Sequence, residues 1–441
     1  MPTYRIVTLG CKLNQADSGA LGARLRRLGL TRHADDPEGT PDIVVLNTCT
    51  VTGAADREAR QVARRLRREN PGATLITTGC YAERDPRALS VLPGIDHVVG
   101  MKDQAERVAA LAAGALGLEI GSGEDPLGPF GATSACDPLT DPAERTRAFL
   151  KIQDGCDLRC SYCVIPSVRG DSRSLPPGLV LGRIASLIDA GYREIVFTGV
   201  NTGDYGRDLD PPQRLHDLLE RAIELPGLGR LRLNSLEPKT VTPGIIALLA
   251  AGSGRIARHL QVPLQSGSDA ILQRMRRPYR TADYGRLLES LRASVPAIGL
   301  GADVIVGFPG ETDADFETTV RFIASSPLSY LHVFSYSPRP GTAAAALGDR
   351  VPPPVIKERS ARLRALGRDL SLRFRRSFVG GDLPVVTLRE IRPDGRLRAL
   401  TDNFIDLGLD LGGRPPGAFI NRLLTARVTG AVEDDTLAAV A

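Results

Sequence analysis

The stretch DGCDLRCSYCVIPSVR at 154–169 sets Cys156, Cys160 and Cys163 in the spacing C-x3-C-x2-C. Three thiols so close together make the backbone wrap around one point. Thiolates are soft ligands that suit zinc and iron–sulfur clusters. A structural zinc takes four protein ligands, yet no further cysteine or histidine follows before His216. Three ligands on a four-iron cluster leave one iron open to an exogenous ligand, and an open iron is a reactive position. A zinc knuckle completed by a distant residue, or three buried thiols, are the alternatives these residues leave open.

Residues 1–115 alternate strand and helix. Strands are expected near 4–9, 42–47, 73–78 and 97–99, and helices near 17–28, 54–69, 86–92 and 104–113. Such alternation predicts an open parallel α/β sheet covered by helices. Cys11, Cys49 and Cys80 each follow one of the first three strands. In an open parallel sheet the strand C-termini share one edge, where ligands bind. The pattern therefore predicts a second cysteine cluster, against the alternative of three unrelated core cysteines. Seven cysteines, odd in number and clustered, argue for metal ligands in a reducing, cytoplasmic compartment rather than a disulfide framework. No run of 18 apolar residues occurs, so no membrane partner is expected. The opening MPTYRIVTLG enters a strand without a basic-plus-apolar signal segment.

Residues 116–146 are rich in Gly, Pro and Asp and read as a linker, in which Cys136 is taken as a free thiol. Residues 147–342 return to strand–helix alternation, with six strands near 148–153, 194–198, 230–234, 259–264, 301–306 and 330–336. Six such units predict a partial (β/α)6 barrel with its chemistry at the C-terminal strand ends. The loops there are polar and glycine-rich: TGVNTGDYG, NSLEP, PLQSGSD, GFPGETDADF and SYSPRPGT. Residues 343–378 read as a basic connector with a long helix over 356–378. From Arg339 to Arg376 ten basic residues face three acids, a net of +7. Residues 379–441 shift to short strands near 384–390, 396–401, 404–409 and 424–430, which predicts a small β-barrel. Nine acids against seven arginines make it −2.

The helix after Cys49 carries Arg57, Arg60, Arg64, Arg65, Arg67 and Arg68 against Glu58, a net of +5. Such a run can grip phosphates or simply face solvent. Arg57, Arg60, Arg64, Arg65 and Arg68 are the candidate RNA contacts.

The stretch RAFLKIQDGCDLRCSYCVIP (147–166) resembles the signature of radical S-adenosylmethionine enzymes, and in detail their methylthiotransferase branch. LGCKLNQADS, LNTCTVTGAADREARQ and TGCYAE are similar to the three characteristic stretches of that family's N-terminal domain. The resemblance extends over nearly the whole chain up to Thr342. It implies two 4Fe–4S clusters, one on Cys156, Cys160 and Cys163 and one on Cys11, Cys49 and Cys80. It implies S-adenosyl-L-methionine as both radical source and methyl donor, with Thr198, Gly199, Asn201, Ser235, Glu237, Gln265 and Ser266 around it. By the same resemblance the first cluster serves to make a 5′-deoxyadenosyl radical, able to attack an aromatic C–H that acid–base groups cannot open. The second would carry the sulfur.

GCKLNQ, TCTVTGAAD and TGCYAE look most like the enzymes that add a methylthio group to C2 of N6-threonylcarbamoyladenosine at position 37, beside the tRNA anticodon. The types acting on isopentenyladenosine or on a ribosomal-protein aspartate are alternatives. A two-cluster electron carrier or RNA binder is a more distant one. The implied partners are a tRNA with an adenosine at position 37 and an electron donor such as flavodoxin or ferredoxin. The last domain stands where the family places its TRAM domain, although the residues match weakly and the acidic charge does not favour RNA.

Overall fold

A computed structural model describes residues 1–33, 39–118, 146–251, 254–433 and 435–441. The expected linker thus lies almost wholly, and Cys136 entirely, outside the described residues. The chain begins β1 (Thr3–Thr8), α1 (Lys12–Arg27), β2 (Thr31–Arg32), β3 (Ile43–Thr48), α2 (Gly53–Glu69), β4 (Thr74–Gly79), α3 (Cys80–Arg84), α4 (Pro86–Ser90), β5 (His97–Val98) and α5 (Gln104–Leu116). The five strands form one parallel sheet in the order β2-β1-β3-β4-β5. IVVLNT in β3 is buried at every position, as a strand covered on both faces must be. The strand order reverses between β1 and β3, which is where sheets of this kind bind ligands.

Next come β6 (Arg147–Lys151), β7 (Gln153–Asp154), α6 (Ile165–Arg169) and β8 (Arg173–Ser174). The β7–β8 pair is antiparallel and closes the neck of the Cys156–Cys163 loop. There follow α7 (Pro177–Asp189), β9 (Glu194–Thr198), α8 (Leu215–Ile223), β10 (Arg230–Arg232), α9 (Pro243–Ala250), β11 (His259–Gln261), α10 (Asp269–Arg274), α11 (Thr281–Ser294), β12 (Gly299–Val306), α12 (Asp313–Ser325) and β13 (Tyr330–Ser335). β6, β9 and β10 form one parallel sheet and β11, β12 and β13 another, joined by a parallel bridge from Leu231 to Ile256. Six strands in chain order make the expected open barrel. α1 packs against β6 and α13 (Pro353–Arg376) against β13.

The chain ends in a closed five-stranded barrel of β14 (Asp382–Ile391), β15 (Leu397–Thr401), β16 (Asp406–Asp410), β17 (Leu423–Val432) and β18 (Asp435–Val440). β18, with the sequence DTLAAV, is absent from the sequence-based expectation. Its small alanines lack the bulky β-branched signal. It closes the ring through a parallel pairing with β16.

This small barrel covers the N-terminal ends of the larger barrel's strands through one buried ionic set. Glu194 is fully buried at the start of β9 and accepts from Arg232 at 2.9 and 3.0 Å and from Arg230 at 3.3 Å. Arg147 lies 3.5 Å away. Arg232 also donates to the carbonyls of Thr401 and Asp402, at 2.9 and 3.0 Å. Beside them Phe404 stacks on His259 with ring centroids 4.2 Å apart.

Burial pushes the Glu194 carboxyl up, but Arg232, Arg230 and Arg147 outweigh it and hold it at about 2. A carboxyl held below its unfolded value of about 4.3 adds stability that is present above that pH and lost as the pH falls toward the folded value. Glu194→Gln is expected to destabilise the protein at pH 7 by roughly 3 kcal/mol, because it strands buried guanidinium charge. The gap to the parent should narrow between about pH 4 and pH 2. Urea unfolding at pH 7 and pH 3 checks this; equal stability at pH 7 would exclude the role given to Glu194.

Candidate functional site

Cys11, Cys49 and Cys80 follow β1, β3 and β4, three adjacent strands with level ends: Thr8 is in register with Asn47, and Thr48 with Gly79. Asn14 sits at the centre of the edge. Its Nδ2 donates to the carbonyls of Leu9 and Thr48 at 2.8 and 3.0 Å. Its Oδ1 lies 3.9 Å from Cys11 Sγ and 4.0 Å from Cys80 Sγ. Gly10 has φ +97°, and a Cβ there would stand 2.6 Å from Cys49 Cβ, so only glycine lets the β1 turn close on Cys49. Cys11 is exposed and the other two are buried. Burial pushes the Cys80 thiol up to about 12; Arg169 pulls it down, while Cys11 and Cys49 push it up further.

The second triad is gathered by the β7–β8 neck. Cys156 N donates to Gly170 O at 3.1 Å, and Cys163 N to Cys160 O at 3.1 Å. Gly155 has φ +72°, and a Cβ there would lie 1.9 Å from Asp171 O. Burial raises the Cys156 thiol to about 11 and that of Cys163 to about 12. Among the described residues, the group of three metal-type ligands within 4.8 Å of one another is His216, Asp217 and Glu220 on α8, not either cysteine set. A tetrahedral zinc with Zn–S of about 2.3 Å would hold its sulfurs about 3.8 Å apart. In each triad at least one pair of sulfurs stands farther apart than 4.8 Å, beyond the reach of one such zinc in this arrangement.

Each triad receives one guanidinium. Arg277 donates from Nη1 to Cys160 Sγ at 3.1 Å, and its other terminal nitrogen pairs with Glu237. Arg169, the last residue of α6, donates from Nε to Cys80 Sγ at 3.2 Å. Its Nη1 reaches both oxygens of Asp154 at 3.0 and 3.1 Å, and its Nη2 reaches Asn14 Oδ1 at 2.8 Å and Asp17 Oδ2 at 2.9 Å. Lys151 pairs with the same two carboxylates, at 2.6 Å to Asp17 and 3.3 Å to Asp154. Burial works against an ionised Asp154, but Arg169 and Lys151 outweigh it and hold its carboxyl well below the usual carboxylate range.

Between the sheet edge and the barrel mouth lies a cavity of about 400 Å³, lined by Cys11, Lys12, Asn234, Ser235, Glu237 and Asp303 among others. Ser235 and Glu237 thus border it. Gln265 lines a neighbouring cavity of about 220 Å³ with Tyr162 and Asp303. Thr198, Gly199 and Asn201 stand buried at the end of β9, and Thr198 Oγ1 and Asn201 Oδ1 have no partner in the protein. Ser266 is different. Its Oγ lies 3.4 Å from Thr319 Oγ1 and accepts from Ser268 N at 3.2 Å, so it braces its own loop and lines neither cavity. Ser235 and Gln265 adopt φ of +58° and +66°, the kind of strain that collects at functional sites.

Sequence reasoning missed Arg169, Arg277, Lys12, Asp303 and His332. Arg169 closes the cysteine stretch and Lys12 abuts Cys11, so adjacency was their one signal. Arg277 in RMRRPY carries none.

The arginine stripe divides. Arg57, Arg64, Arg65 and Arg68 are exposed on α2, with Arg65 3.6 Å from Glu69. Arg60 turns to Tyr81, donating to its hydroxyl at 2.6 Å, while Arg67 donates to the carbonyls of Gly94, Pro71 and Ala73. The start of α2 touches the barrel mouth, where Gly53 N donates to Ser337 Oγ at 3.0 Å. In the connector, Arg339 pairs with Asp56, Arg359 with Glu311 and Asp313, and Arg362 with Glu317. Arg375 donates to the carbonyls of Val432 and Asp435. Arg339, Arg359 and Arg375 are thus buried in the fold, while Arg350, Lys357, Arg362, Arg364, Arg368, Arg373 and Arg376 are exposed.

A family profile described as the Radical SAM superfamily matches residues 150–323, and one described as Uncharacterized protein family UPF0004 matches residues 3–100. The chain is 38% identical over 416 residues to the threonylcarbamoyladenosine tRNA methylthiotransferase MtaB of Bacillus subtilis, covering 92% of this chain and 90% of that one. It is 36% identical over 462 residues to the ribosomal protein uS12 methylthiotransferase RimO of a Roseiflexus species, covering 98% and 96%. Among solved structures, the radical S-adenosylmethionine methyltransferase TsrM of Kitasatospora setae matches with a TM-score of 0.57 at 18% identity, over 78% of this chain and 77% of that one. That last likeness is one of fold.

Arg169→Met is expected to lower stability by roughly 3 kcal/mol, since it leaves buried carboxylates short of countercharge. Arg169→Lys should recover less than half, because a single ammonium cannot reproduce a fork that meets Asp154, Asp17 and Cys80 together. The urea midpoint of the metal-free protein reads both, and an unchanged midpoint in the methionine variant would refute the account.

Proposed function

This chain is a member of the radical S-adenosylmethionine methylthiotransferase family, and from that premise we infer how its residues divide the work. It is a tRNA-modifying transferase that adds a methylthio group to N6-threonylcarbamoyladenosine, as its relatives named for that reaction do. It uses S-adenosylmethionine and 4Fe–4S clusters. The observation that carries the assignment of sites is one cavity in touch with both triads: Cys11 lines it directly, and Glu237 on its wall pairs with the Arg277 that reaches Cys160.

In this reading Cys156, Cys160 and Cys163 hold one cluster, and Cys11, Cys49 and Cys80 hold a second. The donor sets fit: six thiols in two open sets, each with a guanidinium N–H aimed at one sulfur, the kind of second contact that tunes a cluster. When bound, such a cluster supplies one-electron chemistry on S-adenosylmethionine that side chains cannot. Thr198 Oγ1 and Asn201 Oδ1, buried without partners, offer acceptors for the ammonium of the methionine. Glu237, held by Arg277, and Ser235 border the cavity at the barrel mouth. Arg277 and Arg169 keep positive charge beside the sulfurs, which favours thiolate over thiol.

The exposed Arg57, Arg64, Arg65 and Arg68, on a helix whose start touches the mouth, supply phosphate contacts for the anticodon arm of a tRNA with an adenosine at position 37. Arg60, turned to Tyr81, contributes less. That stripe favours a nucleic acid over the ribosomal protein of the second relative. A flavodoxin- or ferredoxin-type donor would supply electrons, and the reducing cytoplasm would keep the six thiols free. No described helix is long and apolar enough to cross a membrane.

Mass analysis of nucleosides from tRNA of a strain lacking this gene tests the reaction. The 2-methylthio form of N6-threonylcarbamoyladenosine should vanish and its precursor accumulate; an unaltered profile would refute the reading. The cluster assignment has its own test. Replacing Cys156, Cys160 and Cys163 together by Ala should leave about half the iron of the anaerobically reconstituted parent, because the sets lie on separate elements. Iron content equal to the parent's would exclude it.

A further inference from the structure

Lys12 follows Cys11 directly and its side chain lines the cavity at the barrel mouth. Its Nζ donates to Asn234 Oδ1 at 3.1 Å. Nζ also stands 5.4 Å from the ring centroid of Phe404, which the C-terminal barrel inserts from below with φ +73°. Lys12 is in none of the ion pairs of the described residues. The nearby carboxylates are already engaged: Glu194 by Arg232 and Arg230, Glu237 by Arg277, and Asp303 by Gln261 at 2.7 Å and His332 at 3.2 Å. The charges around it include two more cations, Arg147 and Arg232. A largely dehydrated ammonium with an amide on one side, an aromatic face on another and no anion of its own is a receptor for an anion.

We propose that Lys12 binds the carboxylate of the threonyl group on the substrate base and so makes the enzyme select the threonylcarbamoylated adenosine. The proposal rests on the substrate reading given above. In that nucleoside threonine is joined through its amino nitrogen, so its carboxylate and hydroxyl are free, and the carboxylate is the only anionic group on the base. The amide oxygen of Gln261, whose Nε2 is taken by Asp303, offers an acceptor to the hydroxyl. An apolar substituent on the same nitrogen would leave the ammonium desolvated and unpaired, a penalty that discriminates more strongly than a missing apolar contact. The other carboxylate that could come here is that of the methionine moiety of S-adenosylmethionine, and the test separates the two.

Three anticodon stem-loops are compared by fluorescence anisotropy on the reconstituted enzyme: one with N6-threonylcarbamoyladenosine at position 37, one with its methyl ester, and one with plain adenosine. The parent should bind the acid about tenfold to a hundredfold more tightly than the ester or plain adenosine, the span of one charge-assisted contact. Lys12→Gln should bring the three affinities together, and Lys12→Arg should keep part of the preference. The ester needs no mutation, so the question is answered even if Lys12→Gln fails to load iron beside Cys11. Equal binding of acid and ester by the parent, or a full preference retained in Lys12→Gln, overturns the proposal. So does a Lys12→Gln variant that loses affinity for S-adenosylmethionine, by isothermal titration, while keeping its preference among the RNAs. Failure of the substrate reading shows separately, as an unaltered nucleoside profile in the deletion strain.

Discussion

A single buried guanidinium sets the relation between the two halves of the site. Arg169 comes from the barrel side, six residues after Cys163, and ends among Asn14, Asp17 and Cys80 of the sheet. A charge taken out of water is tolerated only with a full set of partners, and Arg169 has one: both oxygens of Asp154, one of Asp17, an amide oxygen and a sulfur. The planar fork of arginine meets them in one orientation. The apolar contacts beside it, Ala16 against Phe149 and Val196 and Cys80 against Val164 and Val168, are non-directional and tolerate a shift. The ionic set does not, because a shift by one side chain would strand a carboxylate.

The opposite end of the barrel repeats the device. Glu194 is surrounded by arginines, and Arg232 passes through it to the carbonyls of Thr401 and Asp402. The barrel is thus closed above by the sheet domain and below by the small β-barrel, each joined through a buried arginine. One consequence is functional. The cavity at the mouth takes Cys11 and Lys12 from the first domain and its loops from the second, while Phe404 of the third supports Lys12. No one domain builds the site.

Charge counts along the chain mislead for the same reason. The connector's +7 invites a nucleic-acid reading, and the fold divides it: Arg339, Arg359 and Arg375 are buried against partners, while Arg364, Arg368, Arg373 and Arg376 stay exposed on α13. α2 divides in the same way: Arg57, Arg64, Arg65 and Arg68 keep their outward positions, while Arg60 and Arg67 turn to partners in the fold. Nothing in the spacing of these arginines separates the two cases, since helix periodicity places a side chain on a face but does not say what covers that face.

What the sequence determined by itself is local or topological. The C-x3-C-x2-C loop is legible because its ligands lie within one turn of chain. The convergence of Cys11, Cys49 and Cys80 is legible because parallel strands must end on a common edge. The principal strands are legible because buried parallel strands are continuous apolar runs, whereas Ala-rich β18 is not. Tertiary structure alone decided the rest. The guanidinium–sulfur contacts join residues 89 and 117 positions apart, Ser266 turned inward to Thr319, and Lys12 was left without an anion. Each depends on which charges meet when separate elements pack, and pairing at such separations leaves no periodicity or spacing in the chain to read.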